Sequence, residues 1–172
     1  MKTLTRKFFQ RPALTVAPEL LGKYLVRKIG GRTIALKITD VEAYVGSEDK
    51  ASHARFGRTA RNAPMFSAGG VWYVYLIYGN HWLLNIVTGK KGKPEAILLR
   101  GAETIAGPGR LTDALKVTGA FSGKPASRLA GLWIEDREEK ARQALIKRLP
   151  RVSVDYAGPV WSKKLYRFVL SE

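Results

Sequence analysis

Asp40, Glu42 and Tyr44 recur at every second position after Ile34, Leu36 and Ile38. A strand turns alternate side chains to one face, so these six are expected on one side, with Ala35, Lys37, Thr39, Val41 and Ala43 on the other. The first row begins as core and ends in two acids and a tyrosine. An acid at the end of a core-facing row is costly unless it is paired or used, and the use open to it is proton transfer. Arg100, which ends the strand-like run 95–100, is the cation that could meet it. Taken alone, each acid is more simply read as the strand's exit to solvent. A second set of residues is aromatic. In Trp72-Tyr73-Val74-Tyr75-Leu76-Ile77 both alternating phases are apolar or aromatic, so neither face is an ordinary wet one. The run stops at Tyr78-Gly79-Asn80-His81, a turn signal, and Trp82-Leu83-Leu84-Asn85-Ile86-Val87 follows. The result is a β-hairpin with a tyrosine at its tip, where solvent gives no reason for one and a partner with stackable surfaces would.

The chain has 172 residues, enough for one domain with a core that needs no staples. Its 30 Lys and Arg stand against 14 Asp and Glu, a formal charge of +16 spread over every segment. Such an excess repels itself and suits a polyanion, so nucleic acid is the expected partner. The absence of cysteine excludes disulfides, thiolate metal sites and thiol catalysis, and two histidines make a histidine-based metal site a poor fit. No metal and no cofactor are expected. No apolar stretch is long enough to span a membrane and the N-terminus lacks a signal peptide's apolar segment, which sets cytosol or nucleoid, or the nucleus of a eukaryote, as the expected compartment. A monomer is the expected form.

Several elements must hold these residues in place. A short helix is expected from Pro18 to Leu21, closed by Gly22, then a strand over 24–26 turned back by Gly30-Gly31 into the acid-bearing strand. Residues 46–66 form a long loop whose stretch 57–66, with Arg58 and Arg61, is basic and turn-rich. It suits the phosphate backbone and equally suits plain solvation. Gly89-Lys90-Lys91-Gly92-Lys93-Pro94 is a second basic turn. After Gly107-Pro108-Gly109 a short helix should bury Leu111, Ala114 and Leu115 and stop at Gly119; the lysine and hydroxyl of a phosphate-binding P-loop are missing. A strand over 129–134, a charged helix over 138–149 burying Ala141, Ala144, Leu145 and Leu149, and closing strands over 152–154 and 165–169 complete the reading. No repeat or linker interrupts it. The expected fold is α+β: a single mixed domain over 1–172, with a curved antiparallel sheet flanked by helices and a protruding aromatic hairpin.

In order and spacing, the chain resembles the alkyladenine (3-methyladenine) DNA glycosylases. The resemblance runs through Asp40-Val41-Glu42-Ala43-Tyr44, Ser52-His53, Thr59-Ala60-Arg61-Asn62 with Met65-Phe66, Tyr73 to Gly79, Asn85 and Leu98-Leu99-Arg100, with weaker support from Gly107-Pro108, Leu111, Trp161 and Arg167-Phe168. The segment 120–150 carries no matching motif. The resemblance implies a monofunctional enzyme that extrudes damaged purines, alkylated or deaminated, from duplex DNA and hydrolyses the N-glycosidic bond. It implies Glu42 as the base that activates water, with Arg100 and the backbone carbonyl of Val152 holding that water. Tyr44, His53 and Tyr75 correspond to the walls of the base pocket and Asn85 to its selectivity position. Tyr78 corresponds to the residue that replaces the extruded nucleotide, with Asn80 beyond it at the tip and Arg58 and Arg61 toward the DNA.

The physical chemistry agrees. A purine inside a duplex is inaccessible at its glycosidic bond, so extrusion costs a few kcal/mol. An inserted ring offsets part of that, with stacking worth ~1–3 kcal/mol per base in single-strand systems. Cleavage passes through a sugar with oxocarbenium character, which a carboxylate stabilises while it deprotonates water. Without the resemblance, Tyr44 and Tyr75 read as core and His53 as a loop histidine. The competing reading is a non-catalytic nucleic-acid-binding domain displaying aromatics on a sheet, but the aromatic motifs of such domains are missing. A basic structural protein would explain the charge and not the tyrosine at the hairpin tip.

Overall fold

The computed structural model describes residues 1–138 and 145–171. The described residues form ten strands, all paired antiparallel: β1 (Lys2–Thr3), β2 (Tyr24–Ile29), β3 (Arg32–Val45), β4 (Trp72–Ile77), β5 (His81–Thr88), β6 (Glu95–Ala102), β7 (Ile105–Ala106), β8 (Leu132–Asp136), β9 (Ile146–Leu149) and β10 (Arg167–Leu170). Four α-helices accompany them: α1 (Arg6–Phe9), α2 (Ala13–Leu20), α3 (Pro108–Ala114) and α4 (Gly158–Trp161). The sheet runs β1-β8-β2-β3-β6-β5-β4 and is open, with β10 on β3 and β9 on β10. This is the antiparallel α+β architecture expected, with the aromatic hairpin β4–β5 at one edge.

The long strand β3 organises the sheet. Its first half pairs with β2, from Arg32 opposite Ile29 to Lys37 opposite Tyr24, and its second half pairs with β10 on one side and β6 on the other. The expectation that one face carries Ile34 through Tyr44 fails in the middle. Ile38 faces Ala102, but Asp40 faces Gly101 and Val41 faces Leu99, so an extra residue enters each strand in turn. A bulge shifts alternation by one, and every later side chain changes face. Ile38, Val41 and Ala43 all enter the main core, and Glu42 and Tyr44 are turned to the opposite face. Gly101 sits at this irregularity because a Cβ there would meet the Ile105 carbonyl oxygen at 3.1 Å and Asp40 Cβ at 3.4 Å.

The sheet is covered on both sides of the hairpin, which explains its two apolar phases. Trp72, Val74, Leu84 and Ile86 join α2 and α3 in the main core, through Val16, Ala17, Leu20 and Leu111. Tyr73 and Val87 turn to the other face and pack with Ala54, Met65 and Ala96 beneath the loop 46–66. Helices therefore close one face, and the loop closes the other.

Other boundaries differ from expectation for identifiable reasons. The helix expected to start at Pro18 starts at Ala13 and contains Pro18 in its last turn. Burial of Ala13, Val16, Ala17 and Leu20 outweighs the lost backbone hydrogen bond. The helix α3 ends before Gly119, with Lys116 at φ +48°, and buries Thr112 rather than Ala114. The strand expected at 129–134 is β8, starting at Leu132, and Leu129 is 99% exposed. Where a helix was expected over 138–149, Ile146–Leu149 is a strand paired with β10, and Leu145 and Leu149 are exposed. Ala141 and Ala144 lie outside the described residues. Residues 152–154 are not a strand but a turn with Ser153 at φ +57°, and the last strand is β10 rather than 165–169. No helix among the described residues is long and apolar enough to cross a membrane.

Candidate active site

Register sets out the site. Across the sheet, Tyr73 pairs with Asn85, Asn85 with Leu98, Leu98 with Glu42 and Glu42 with Arg167. Register partners share a face, so one row over five strands runs from an aromatic side to a carboxylate. Tyr75, two residues from Tyr73, and Tyr44, two from Glu42, lie on the same face.

Glu42 is fully buried at 0% exposure. Its Oε1 accepts the Val152 N–H at 2.8 Å and its Oε2 accepts the Tyr44 hydroxyl at 2.9 Å. The Arg100 Nη1 stands 3.4 Å from Oε1, and Arg100 Nε is 3.8 Å from Asp40 Oδ2, too long for a hydrogen bond, so this buried Nε has no hydrogen-bond partner. Asp40 is held elsewhere: Arg167 donates to it through Nε at 3.0 Å and Nη2 at 2.7 Å. The expected meeting of acid and arginine therefore exists, and two arginines share two acids. Burial pushes the Glu42 carboxyl above its ordinary value; Arg100, the Val152 N–H and the Tyr44 hydroxyl restrain the rise. Burial also pushes the Tyr44 phenol well up, with the Glu42 charge adding to it, so Tyr44 stays a donor.

Beside this carboxylate lies a small recess of about 40 Å³, lined by Tyr44, His53, Tyr73, Tyr75, Asn85 and Tyr156 among others. His53 Nδ1 and the Tyr73 hydroxyl are 2.9 Å apart, and the His53 ring meets Tyr75 edge-on at 4.5 Å. Burial, with Arg61 and Arg55 nearby, lowers the His53 pKa to about 4, so the ring is neutral at physiological pH. Burial raises Tyr73 to about 12 and Tyr75 further. Asn85 donates from Nδ2 to the Tyr73 carbonyl at 3.2 Å. The recess is thus aromatic, uncharged and joined to the carboxylate through Tyr44.

Tyr78 stands away from the recess at the hairpin tip, 89% exposed. Tyr78 and Gly79 both adopt positive φ, +50° and +71°, and the Asn80 N–H closes the turn on the Ile77 carbonyl at 3.2 Å. Glycine accepts that conformation freely, whereas a tyrosine there is strained by ~1–3 kcal/mol. Asn80, Arg58 and Arg61 are exposed as well. Arg61 ties its loop to the hairpin, donating to the Leu76 carbonyl at 2.9 Å with its guanidinium 5.2 Å from the Tyr75 ring. The loop itself is stapled by buried Asn62, which accepts the Thr59 N–H at 2.7 Å and donates to the carbonyls of His53 at 3.1 Å and Gly57 at 2.9 Å.

Tyr156 on the recess wall escaped the sequence reading, and so did two residues behind it. Arg151 and Asp49 form a fully buried pair, with Arg151 Nη2 donating to Asp49 Oδ1 at 2.8 Å and Nη1 to the Ala43 carbonyl at 3.0 Å. Asp49 also accepts the N–H groups of Val45 and Ala51 at 3.1 and 3.0 Å. The pair fixes residue 151 against β3, and with it the Val152 N–H on Glu42. Nothing local distinguishes Asp49 from its neighbour Glu48; the partner lies 102 residues away. For Val152, whose carbonyl was expected to matter, the contact present is through its N–H.

A family profile described as methylpurine-DNA glycosylase matches residues 7–107 and 101–172. A Methanocella arvoryzae protein provisionally named 3-methyladenine DNA glycosylase is 42% identical over 92% of this chain and 88% of its own. A protein of the same provisional name from Anaeromyxobacter sp. strain Fw109-5 is 44% identical over 97% and 88%. The DNA-3-methyladenine glycosylase of Arabidopsis thaliana is 39% identical over all of this chain and 73% of its own. With a profile covering both halves of the sequence and relatives at this identity along nearly all of it, the chain belongs to the methylpurine-DNA glycosylase family.

Proposed function

We propose that the chain is a monofunctional DNA glycosylase that extrudes damaged purines from duplex DNA and hydrolyses their N-glycosidic bond with water activated by Glu42. Family and relatives support release of alkylated bases from DNA. The observation that carries the finer reading is Tyr44, which lines the recess and donates at 2.9 Å to Glu42, so an aromatic receptacle and a carboxylate share one residue. A purine between Tyr44, His53 and Tyr75 brings its glycosidic bond toward Glu42, with Asn85 beside its edge. Ionised Glu42 takes a proton from water and stabilises the sugar as positive charge develops. Arg100, whose Nη1 stands 3.4 Å from Glu42 Oε1, favours the ionised form of Glu42 and in this reading helps to hold that water. Val152 anchors the carboxylate by its N–H, and its carbonyl is the third water contact in this reading. Tyr78, exposed and held at positive φ, fills the gap in the stack. Deaminated purines are further substrates in this reading, and the protein acts as a monomer.

The test is release of free base from alkylated duplex DNA. Glu42→Gln is expected to retain lesion binding and to lose release by roughly 10²-fold or more. Near-normal release would remove Glu42 from the role and make Asp40 the next candidate.

A further inference from the structure

Next to the recess two aromatic rings stand in solvent with no role in the core. Phe56 is 78% exposed and Tyr156 is 60% exposed. The Arg55 guanidinium carbon lies 4.3 Å from the Phe56 ring centroid and 4.9 Å from that of Tyr156, so one cation joins both rings. None of the three is loose. The Tyr156 hydroxyl donates to the Ala51 carbonyl at 2.8 Å, and Arg55 Nη1 donates to the Ser52 carbonyl at 3.4 Å. Phe56 ends the 3₁₀ turn His53–Phe56, whose Ser52 side chain caps its start; Gly57 follows at φ +80°, and Asn62 holds the Gly57 carbonyl. A ring fixed by its neighbours has little freedom left to lose on binding. With a guanidinium on one face and most of its surface in water, Phe56 presents its other face outward. Tyr156 also lines the recess, so this platform continues its rim.

We propose that Phe56, Arg55 and Tyr156 form a second stacking site that takes an unpaired nucleobase of the DNA outside the recess. A base is flat and π-rich and fits an exposed ring beside a cation, as single-strand binders use them. Its phosphates suit Arg55 and exposed Arg58, in a chain of charge +16. A protein segment would match the ring but not the surrounding positive charge. The inference rests on DNA as the ligand and not on bond cleavage.

The test is binding of a short, lesion-free single-stranded oligonucleotide to the full chain by fluorescence anisotropy, repeated over a salt series. Phe56→Ala is expected to weaken binding by about 5- to 100-fold with the salt slope unchanged, because stacking releases no counterions. Phe56→Trp should bind at least as tightly as the native chain, and Phe56→Leu should fail like the alanine variant. Unchanged affinity in Phe56→Ala, full recovery by leucine, or a loss that appears only as a reduced salt slope would each overturn the site. Release of free base from alkylated duplex, measured in parallel, separates the two readings. Release that persists while single-strand binding ignores Phe56 sinks this inference alone. Binding that depends on Phe56 without any release sinks the proposed reaction alone.

Discussion

Glu42 is an acid kept where its charge is unwelcome. Its folded form holds the proton more tightly than the unfolded chain does, because burial outweighs Arg100 and the two hydrogen bonds. The sign of the consequence is therefore the reverse of a paired surface acid. Stability from this residue is highest below its unfolded pKa and declines as pH rises through the folded one. If Glu42 is the base proposed, activity moves the other way: its ionised form is lost as pH falls, so the acidic limb of base release should lie above the ordinary carboxylate value of 4.5. Among the described residues of the site, neither the other carboxylate nor the histidine is free to protonate a leaving base. Asp40 is held by Arg167, and His53, at about 4, carries no proton to give near neutrality. Purines methylated at N3 or N7 are already cationic and leave without protonation, whereas hypoxanthine starts neutral. Single-turnover release of 7-methylguanine should show the acidic limb only, and release of hypoxanthine should add an alkaline one. Matching bells for both lesions would mean that an enzyme acid acts on each.

The hairpin and the loop beneath it are distinct devices. If the tip acts after docking, as proposed, Tyr78→Ala should weaken capture of the extruded state while leaving the salt slope of binding intact. Arg58→Ala should do the reverse and lower the slope by about one contact. Arg61→Ala should do both, since it also braces Leu76 and Tyr75. Identical behaviour of the tyrosine and Arg58 variants would reduce the tip to another surface residue. The loop depends on the buried Asp49–Arg151 pair. Asp49→Ala leaves a buried arginine uncompensated, a loss of ~3–5 kcal/mol, readable as a fall of roughly 6–20 °C in Tm for a chain of this size. These elements also mark what the sequence makes visible. The hairpin was legible because its aromatic run, turn residues and second run are all local. The face of Glu42 was not, because alternation carries through a strand only until a bulge, and the bulge arises from pairing with β6. Ile146–Leu149 was misread for a similar reason: its identity as a strand comes from β10, not from its own charged composition. Asp49 and Arg151 show no period at all.

Across the molecule the sixteen surplus positive charges are not evenly free. Many of the acids are committed internally: Glu19 to Arg11, Glu135 to Arg128 and Arg137, Asp136 to Lys23, Asp49 to Arg151, and Asp40 to Arg167. These pairs cancel within the fold, and Arg58, Arg61, Lys90, Lys91 and Lys93 remain at the surface. The charge reads phosphates and carries no information about damage, while the recess that would accept a damaged base is uncharged and aromatic. Affinity and selectivity should therefore separate cleanly in a salt series. Binding of Glu42→Gln to matched duplexes with and without an alkylated purine should give two parallel lines of log affinity against log salt, each with slope about −0.9 for every phosphate neutralised. The lesion should shift the line vertically without tilting it, because the added contacts are stacking and hydrogen bonds that release no counterions. Replacing Lys90, Lys91 and Lys93 with alanine should flatten both lines equally, by about one unit for each lysine that touches a phosphate. A steeper line for the damaged duplex would mean that extrusion recruits new phosphate contacts, and the division between a charged surface and a neutral recess would not hold.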